Sequence, residues 1–196
     1  MLHRFTPLFA AVFLVISSTA TAVAGQVTIK GTHLCCGACQ TRAEKALAGI
    51  PGLTKASVDR NSKVISFMAA NTKAVTAGIA SLAKSGFYGT ATHDTKPVKF
   101  PLTGAKKDAR GDAHTLRGVH LCCDACVVGA QKAVEAVKGL QAIEIDRKQR
   151  TVKLIGKGIR LEEAISALQK AGFYAHVHPP KKPKTQSSPK NTTKKK

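Results

Sequence analysis

One motif is written twice in this chain, and a whole domain is written twice with it. His33-Leu34-Cys35-Cys36-Gly37-Ala38-Cys39 returns as His120-Leu121-Cys122-Cys123-Asp124-Ala125-Cys126, and these stretches hold all six cysteines of the 196 residues. Setting His33 on His120 aligns Thr28, Gly31, Ala43, Lys45, Ala46, Gly52, Leu53, Asp59 and Arg60 with their counterparts at an offset of 87. Beyond about residue 71 the offset is 86, and Ile79, Leu82, Lys84, Gly86, Phe87 and Tyr88 match Ile165, Leu168, Lys170, Gly172, Phe173 and Tyr174. A repeat of that length is a duplicated domain and not a solenoid unit.

Each copy has the same order of signals. Val27-Thr28-Ile29 and Thr115-Leu116-Arg117 read as a first strand. Cys39, Ala43, Ala46, Leu47 and Ile50 fall on one helical face, as do Cys126, Ala130, Ala133, Val134 and Val137. Gly52 and Gly139 stand where such a helix stops. Ala56/Val58 and Ile65/Phe67 alternate inward as two strands, matched by Ile143/Ile145 and Val152/Leu154. Asp59 to Ser62 and Asp146 to Gln149 supply the turns. Val75, Ile79 and Leu82, or Leu161, Ile165 and Leu168, mark a second helix that ends at Gly86 or Gly172. Phe87-Tyr88 and Phe173-Tyr174 then open a last strand. The class is α+β: two tandem ferredoxin-like β-α-β-β-α-β domains, over residues 25–93 and 113–178. Each is small enough that its core is marginal.

The remaining segments read differently. The run from Pro7 to Ile16 is apolar but short for a bilayer span. With Ala22-Val23-Ala24 after it, residues 1–24 are expected to be a secretory signal, giving a secreted or periplasmic protein with no transmembrane segment in the mature chain. The alternative is an uncleaved anchor. Residues 94–112, punctuated by Pro97, Pro101, Gly104 and Gly111, read as a flexible linker with a reach of roughly 20–30 Å, enough to let the cysteine loops meet. Residues 179–196 are rich in lysine and proline and are expected to be disordered. They concentrate much of a formal net charge of +20, which suits an anionic surface or plain solubility. The sheets lack the paired aromatic strands of an RNA reader, so no specific nucleic acid is expected.

The chemistry lies in the loops. A C-x-x-C pair at a helix start meets unpaired backbone N–H groups and the positive end of the helix dipole, both of which favour thiolate. Two such thiolates clamp a soft ion. The arrangement resembles the heavy-metal-associated domain of copper chaperones, of metal-transport ATPase N-termini and of the periplasmic mercury-binding protein. The resemblance covers nearly all of each copy: the element order, the C-x-x-C at the first helix, and the Gly-Phe-Tyr after the second. It implies Cys36, Cys39, Cys123 and Cys126 as metal ligands and Phe87 and Phe173 as near-site aromatics, packed in the core.

Departures from that family are informative. Leu34 and Leu121 stand where the family has a buried methionine, and are expected to be core residues. Cys35, Cys122, His33 and His120 are additional candidate ligands, which would raise coordination and move preference from Cu(I) or Hg(II) toward Zn(II) or Cd(II). The expected function is a non-catalytic, two-site metal chaperone or scavenger, most simply for Cu(I), exchanging its ion with a donor or acceptor protein. Thiol–disulfide exchange is the alternative from the same residues, and polyanion binding through the lysine tail is another.

Overall fold

The computed structural model describes residues 24–177. Residues 1–23, where the signal was expected, and residues 178–196, which include the lysine-rich tail, lie outside the described residues. Two copies of one unit account for nearly everything else. The first contains β1 (Gly25–Lys30), α1 (Gly37–Leu47), β2 (Leu53–Asp59), β3 (Val64–Ala69), α2 (Thr72–Lys84) and β4 (Thr90–His93). A short β5 (Lys96–Val98) follows. The second contains β6 (Arg110–Arg117), α3 (Asp124–Val134), β7 (Leu140–Asp146), β8 (Thr151–Arg160), α4 (Leu161–Lys170) and β9 (His176–Val177).

Both sheets are antiparallel, in the orders β2-β3-β1-β4-β5 and β7-β8-β6-β9. The strand that leads into each cysteine loop, β1 or β6, is therefore an interior strand of its sheet, and the two helices of each copy pack against the core. The alternation read along β3 and β8 points Ile65, Phe67, Val152 and Leu154 inward, all buried. They meet Val75, Ile79 and Leu82 from α2, or Leu161, Ile165 and Leu168 from α4. Burial of such side chains stabilises by about 1.5–3 kcal/mol each, against an ordering cost of similar total size.

Several boundaries differ from the sequence expectation, each for a local reason. Ala56 is exposed, because the β2–β3 register shifts between Thr54 and Ser57 and Lys55 takes a φ of +49°. A shift of one residue exchanges the two faces of a strand. Ile50 and Val137 lie past the ends of α1 and α3, although Val137 still reaches the core. Phe87-Tyr88 and Phe173-Tyr174 do not open the last strands, which begin at Thr90 and His176. They form a bridge to each other, described below.

The stretch 94–112 is not a free coil. Its first part pairs with β4 as β5, and β6 already begins at Arg110. In between, Phe100 packs on Tyr88 at 4.8 Å, the Tyr174 hydroxyl donates to Leu102 O (3.2 Å), and Val177 N–H donates to Thr103 O (2.9 Å). Among the described residues no helix is long and apolar enough to cross a membrane.

Candidate metal centre

Each cysteine loop is an extended approach to a helix. Leu34 and Leu121 are buried in their own domains, as expected for residues in the place of a core methionine. Because side chains alternate along extended backbone, the flanking His33/Cys35 and His120/Cys122 turn away from that core. Cys36 and Cys123 are the residues just before α1 and α3, with extended backbone (φ −152° and −147°) and no side-chain capping bond. Their thiols are thus free for other partners. Cys39 and Cys126 lie in the first helical turn, fully buried. Thr32 N–H to Lys63 O and Val119 N–H to Arg150 O, both 3.2 Å, tie each loop to its own hairpin.

The two copies face each other through these loops. Phe87 and Phe173 form an antiparallel bridge, with Tyr88 N–H donating to Gly172 O (3.0 Å) and Tyr174 N–H to Gly86 O (2.8 Å). Gly86 and Gly172 have φ of +92° and +84°, a conformation open mainly to glycine. They are also in close contact with the opposite copy: a Cβ on Gly86 would fall on His120 N and Gly118 O, and one on Gly172 on His33 N and Gly31 O. The aromatic that follows each glycine serves the other copy's histidine. His33 stacks on Phe173 and Phe87 on His120, each pair with ring centroids 4.2 Å apart. The near-site aromatics are therefore core residues and site residues at once, exchanged between copies. Equivalent patches meeting each other make this an internal analogue of an isologous interface.

The result is that the loops make one cluster and not two separated pairs. Cys36–Cys39 and Cys123–Cys126 each have sulfurs 3.5 Å apart. Contacts of the same length cross between copies: Cys35 to Cys123 and to Cys126, and Cys39 to Cys122, all 3.5 Å. Cys36–Cys123 and Cys39–Cys126 are 3.8 Å apart. His120 Nε2 lies 3.3 Å from Cys39 Sγ. All six cysteines are free thiols. All eight sequence candidates are thus gathered in one place, and the four extra ones, Cys35, Cys122, His33 and His120, add to the connections that Cys36–Cys123 and Cys39–Cys126 make across it.

Electrostatics divides the six cysteines between thiolate and thiol. Cys39 is strongly favoured as a thiolate, because the Cys126 thiol donates to it and His120 Nε2 is beside it. Cys126 is correspondingly held protonated by that bond to Cys39 and by burial. Partial desolvation of its sulfur pushes the otherwise exposed Cys35 up, and burial pushes Cys122 up to about 12, in each case with Cys39 adding to the effect. Burial likewise pushes Cys123 up, but the Cys126 backbone N–H and the Cys35, Cys126 and Cys36 thiols more than offset it, leaving about 7. Burial lowers His33, which stays neutral and able to donate a lone pair. A few thiolates share the protons of the rest, and a soft cation would replace those protons.

Three overlapping donor sets have ligand atoms within 4.8 Å of one another: Cys39/His120/Cys122/Cys126, His33/Cys35/Cys126 and Cys35/Cys36/Cys123. A groove lined by Arg42, Lys45, Lys84 and Arg150 opens onto Cys122, placing cations beside the thiol-rich centre. Arg150 had no signal in the sequence. It donates to Val119 O (3.2 Å), Gly118 O (2.7 Å) and, across the copies, Lys84 O (3.2 Å). The sequence hints to a shared centre were the extra Cys and His of each loop and a joining segment long enough to let the loops meet.

No family model and no curated protein matches the chain. Among solved structures, oxidised MerP from Ralstonia metallidurans CH34 is 22% identical, over 36% of this chain and 100% of its own, with a TM-score of 0.32. The HMA domain of the copper chaperone for superoxide dismutase, in its apo form, is 21% identical over 46% of this chain and 93% of its own, with a TM-score of 0.31. The N-terminal soluble domains of Bacillus subtilis CopA are 16% identical over 80% of this chain and 95% of their own, with a TM-score of 0.32. In its element order and in the place of its C-x-x-C pairs, the chain resembles two tandem heavy-metal-associated domains.

Proposed function

We propose that this chain is a non-catalytic soft-metal-binding protein whose two copies close on a single shared thiolate centre, and that it sequesters the ion outside the cytoplasm. The observation that carries this is the convergence of sulfurs from both loops to 3.4–3.8 Å. A metal–sulfur bond of about 2.3 Å places tetrahedral ligand sulfurs about 3.8 Å apart and trigonal ones about 4.0 Å. The loops are therefore at the spacing of ligands, within a few tenths of an ångström.

The residues divide the work. Cys39 and Cys126 are buried and form the inner pair, with His120 and Cys122 completing one sulfur-rich set. Cys35 is the exposed thiol, suited to meet an incoming ion and pass it inward by ligand exchange. Cu(I) is the preferred cargo because low coordination by sulfur suits it; the fuller set from Cys39 to Cys126 also suits Zn(II). Burial of the inner pair supports scavenging over rapid hand-off to a partner. The extracytoplasmic location rests on the signal-like first residues.

The test is competition of the reduced protein for Cu(I) and for Zn(II) against chelators of known affinity. Tight, stoichiometric binding that is lost in Cys39→Ser with Cys126→Ser is expected. Binding that survives this double change would defeat the proposal, and turnover of insulin disulfides would move the loops to redox chemistry.

A further inference from the structure

Eight soft or borderline donors in one place are more than one ion can use. A single ion with the Cys39/His120/Cys122/Cys126 set has a full tetrahedral complement, leaving Cys35, Cys36, Cys123 and His33 unclaimed. Those four are not scattered. His33 lies with Cys35 and Cys126 in a second set, and Cys35, Cys36 and Cys123 form a third. The second set shares Cys126 with the first, and the third shares Cys35 with the second. The sets form a row joined by two sulfurs, and a thiolate sulfur has the lone pairs to bind two soft ions at once.

We propose that the centre is a polynuclear Cu(I)–thiolate cluster, with places for three ions bridged by Cys126 and Cys35. This deepens the metal-binding reading above and depends on it. Cys36, Cys39, Cys122 and Cys123 are terminal ligands, His120 completes the first position and His33 the middle one.

An independent observation supports the middle position. The His33 ring is clamped on Phe173, and its Nε2 is buried with no hydrogen-bond partner. A buried nitrogen left without a partner is destabilising, and a ligand would supply the missing partner. Without bridging, His33 has no role in the first set. Charge points the same way. Three monovalent ions offset half of six thiolate charges, and Arg42, Arg150 and Lys84 line the groove beside Cys122. One ion would leave several thiols desolvated and either protonated or mutually repelling.

Anaerobic titration of the reduced mature chain with chelator-buffered Cu(I), read by non-denaturing mass spectrometry, gives ions per monomer. X-ray absorption of the same sample reports whether copper has a copper neighbour. Saturation at three ions with a short copper–copper vector is expected. Saturation at one ion, or any number of ions without that vector, overturns the cluster while leaving single-ion binding intact. No bound copper at all overturns the metal-binding reading itself. Cys35→Ser changes an exposed residue, so the fold is retained. It should reduce the capacity by at least one ion and weaken the copper–copper signal. Three ions with an unchanged signal in Cys35→Ser would also overturn the bridge.

Discussion

The two copies agree at their contact and disagree around it. Gly86 and Gly172, Phe87 and Phe173, and the two reciprocal bonds of Tyr88 and Tyr174 are equivalent pair by pair. Around them equivalence fails. His120 reaches a cysteine sulfur of the other copy, whereas His33 Nε2 has no partner. Arg150 spans three carbonyls, whereas Lys63, its counterpart, is exposed. Asp124 at the start of α3 accepts from Arg147 (2.6 Å), where α1 begins with Gly37. The shared features are those needed to bring the loops together, and the unshared ones determine what each loop does once there.

The largest effect should come from breaking the shared features. Gly86→Asn and Gly172→Asn keep the left-handed backbone accessible, since Asn tolerates it. Each adds a Cβ where the opposite loop's backbone stands. Loss of about 3 kcal/mol of docking is expected from each, of the order of a severe packing clash. Small-angle scattering should show an expanded chain, and Cu(I) capacity should fall together with it. Gly52→Asn is the control, having the same backbone sign but only ordinary contacts. Equal losses at Gly86 and Gly172 would sharpen the symmetry, and a loss at one alone would break it.

The second effect belongs to the thiols. Cys123 titrates near 7 and its neighbour Cys122 near 12. At neutral pH Cys123 is therefore the more readily ionised of the two. Lower intrinsic nucleophilicity of the more acidic thiol takes back roughly half of that advantage on a logarithmic scale. Alkylation of the reduced, metal-free protein should still label Cys123 about a hundredfold faster than Cys122. Mass spectrometry of a time course reads this directly, and comparable rates would show that the protons are distributed differently across the cluster.

A third comparison sets Arg150 against Lys63. Arg150→Ala removes donors from three carbonyls, one of them at the C-terminal end of α2, and should cost about 2 kcal/mol. Lys63→Ala removes an exposed side chain and should stay within about 0.5 kcal/mol. Urea unfolding of both variants decides the matter. Similar values would mean that the carbonyls near Arg150 are satisfied by water.

Much of the fold was legible because periodicity reports which face of an element is buried. Ile65/Phe67 and Val152/Leu154 alternate, Val75/Ile79/Leu82 recur at helical spacing, and both patterns appear in the structure as read. What failed was local geometry that periodicity does not encode, such as the irregular register at Lys55 that exposes Ala56. The site was legible as residues and not as a place. His33, Cys35, His120 and Cys122 stood out as departures from the family motif and as candidate extra ligands. Their convergence depends on how one copy turns against the other, through Gly86, Gly172 and the paired Phe87 and Phe173. Those residues carry an ordinary meaning within a single copy, a helix end and a core aromatic, so nothing in their spacing announces the second one.

The smallest effect concerns how the second helix starts in each copy. Asn71 precedes α2 in extended backbone, and its side chain accepts from Ala74 N–H at 3.0 Å. Arg160, which precedes α4, makes no such bond. There the Leu161 N–H donates instead to Ala109 O (3.0 Å), and Glu162 and Glu163 face the positive end of the helix dipole. One helix is capped by a side chain, the other by the segment that joins the copies and by charge. Asn71→Ala should therefore cost about 1 kcal/mol, while Arg160→Ala should leave stability within about 0.5 kcal/mol. Thermal and urea unfolding of the two variants makes the comparison. A cost at Arg160 equal to that at Asn71 would mean that its contribution lies in β8, where it pairs with Arg110, and not in the helix start.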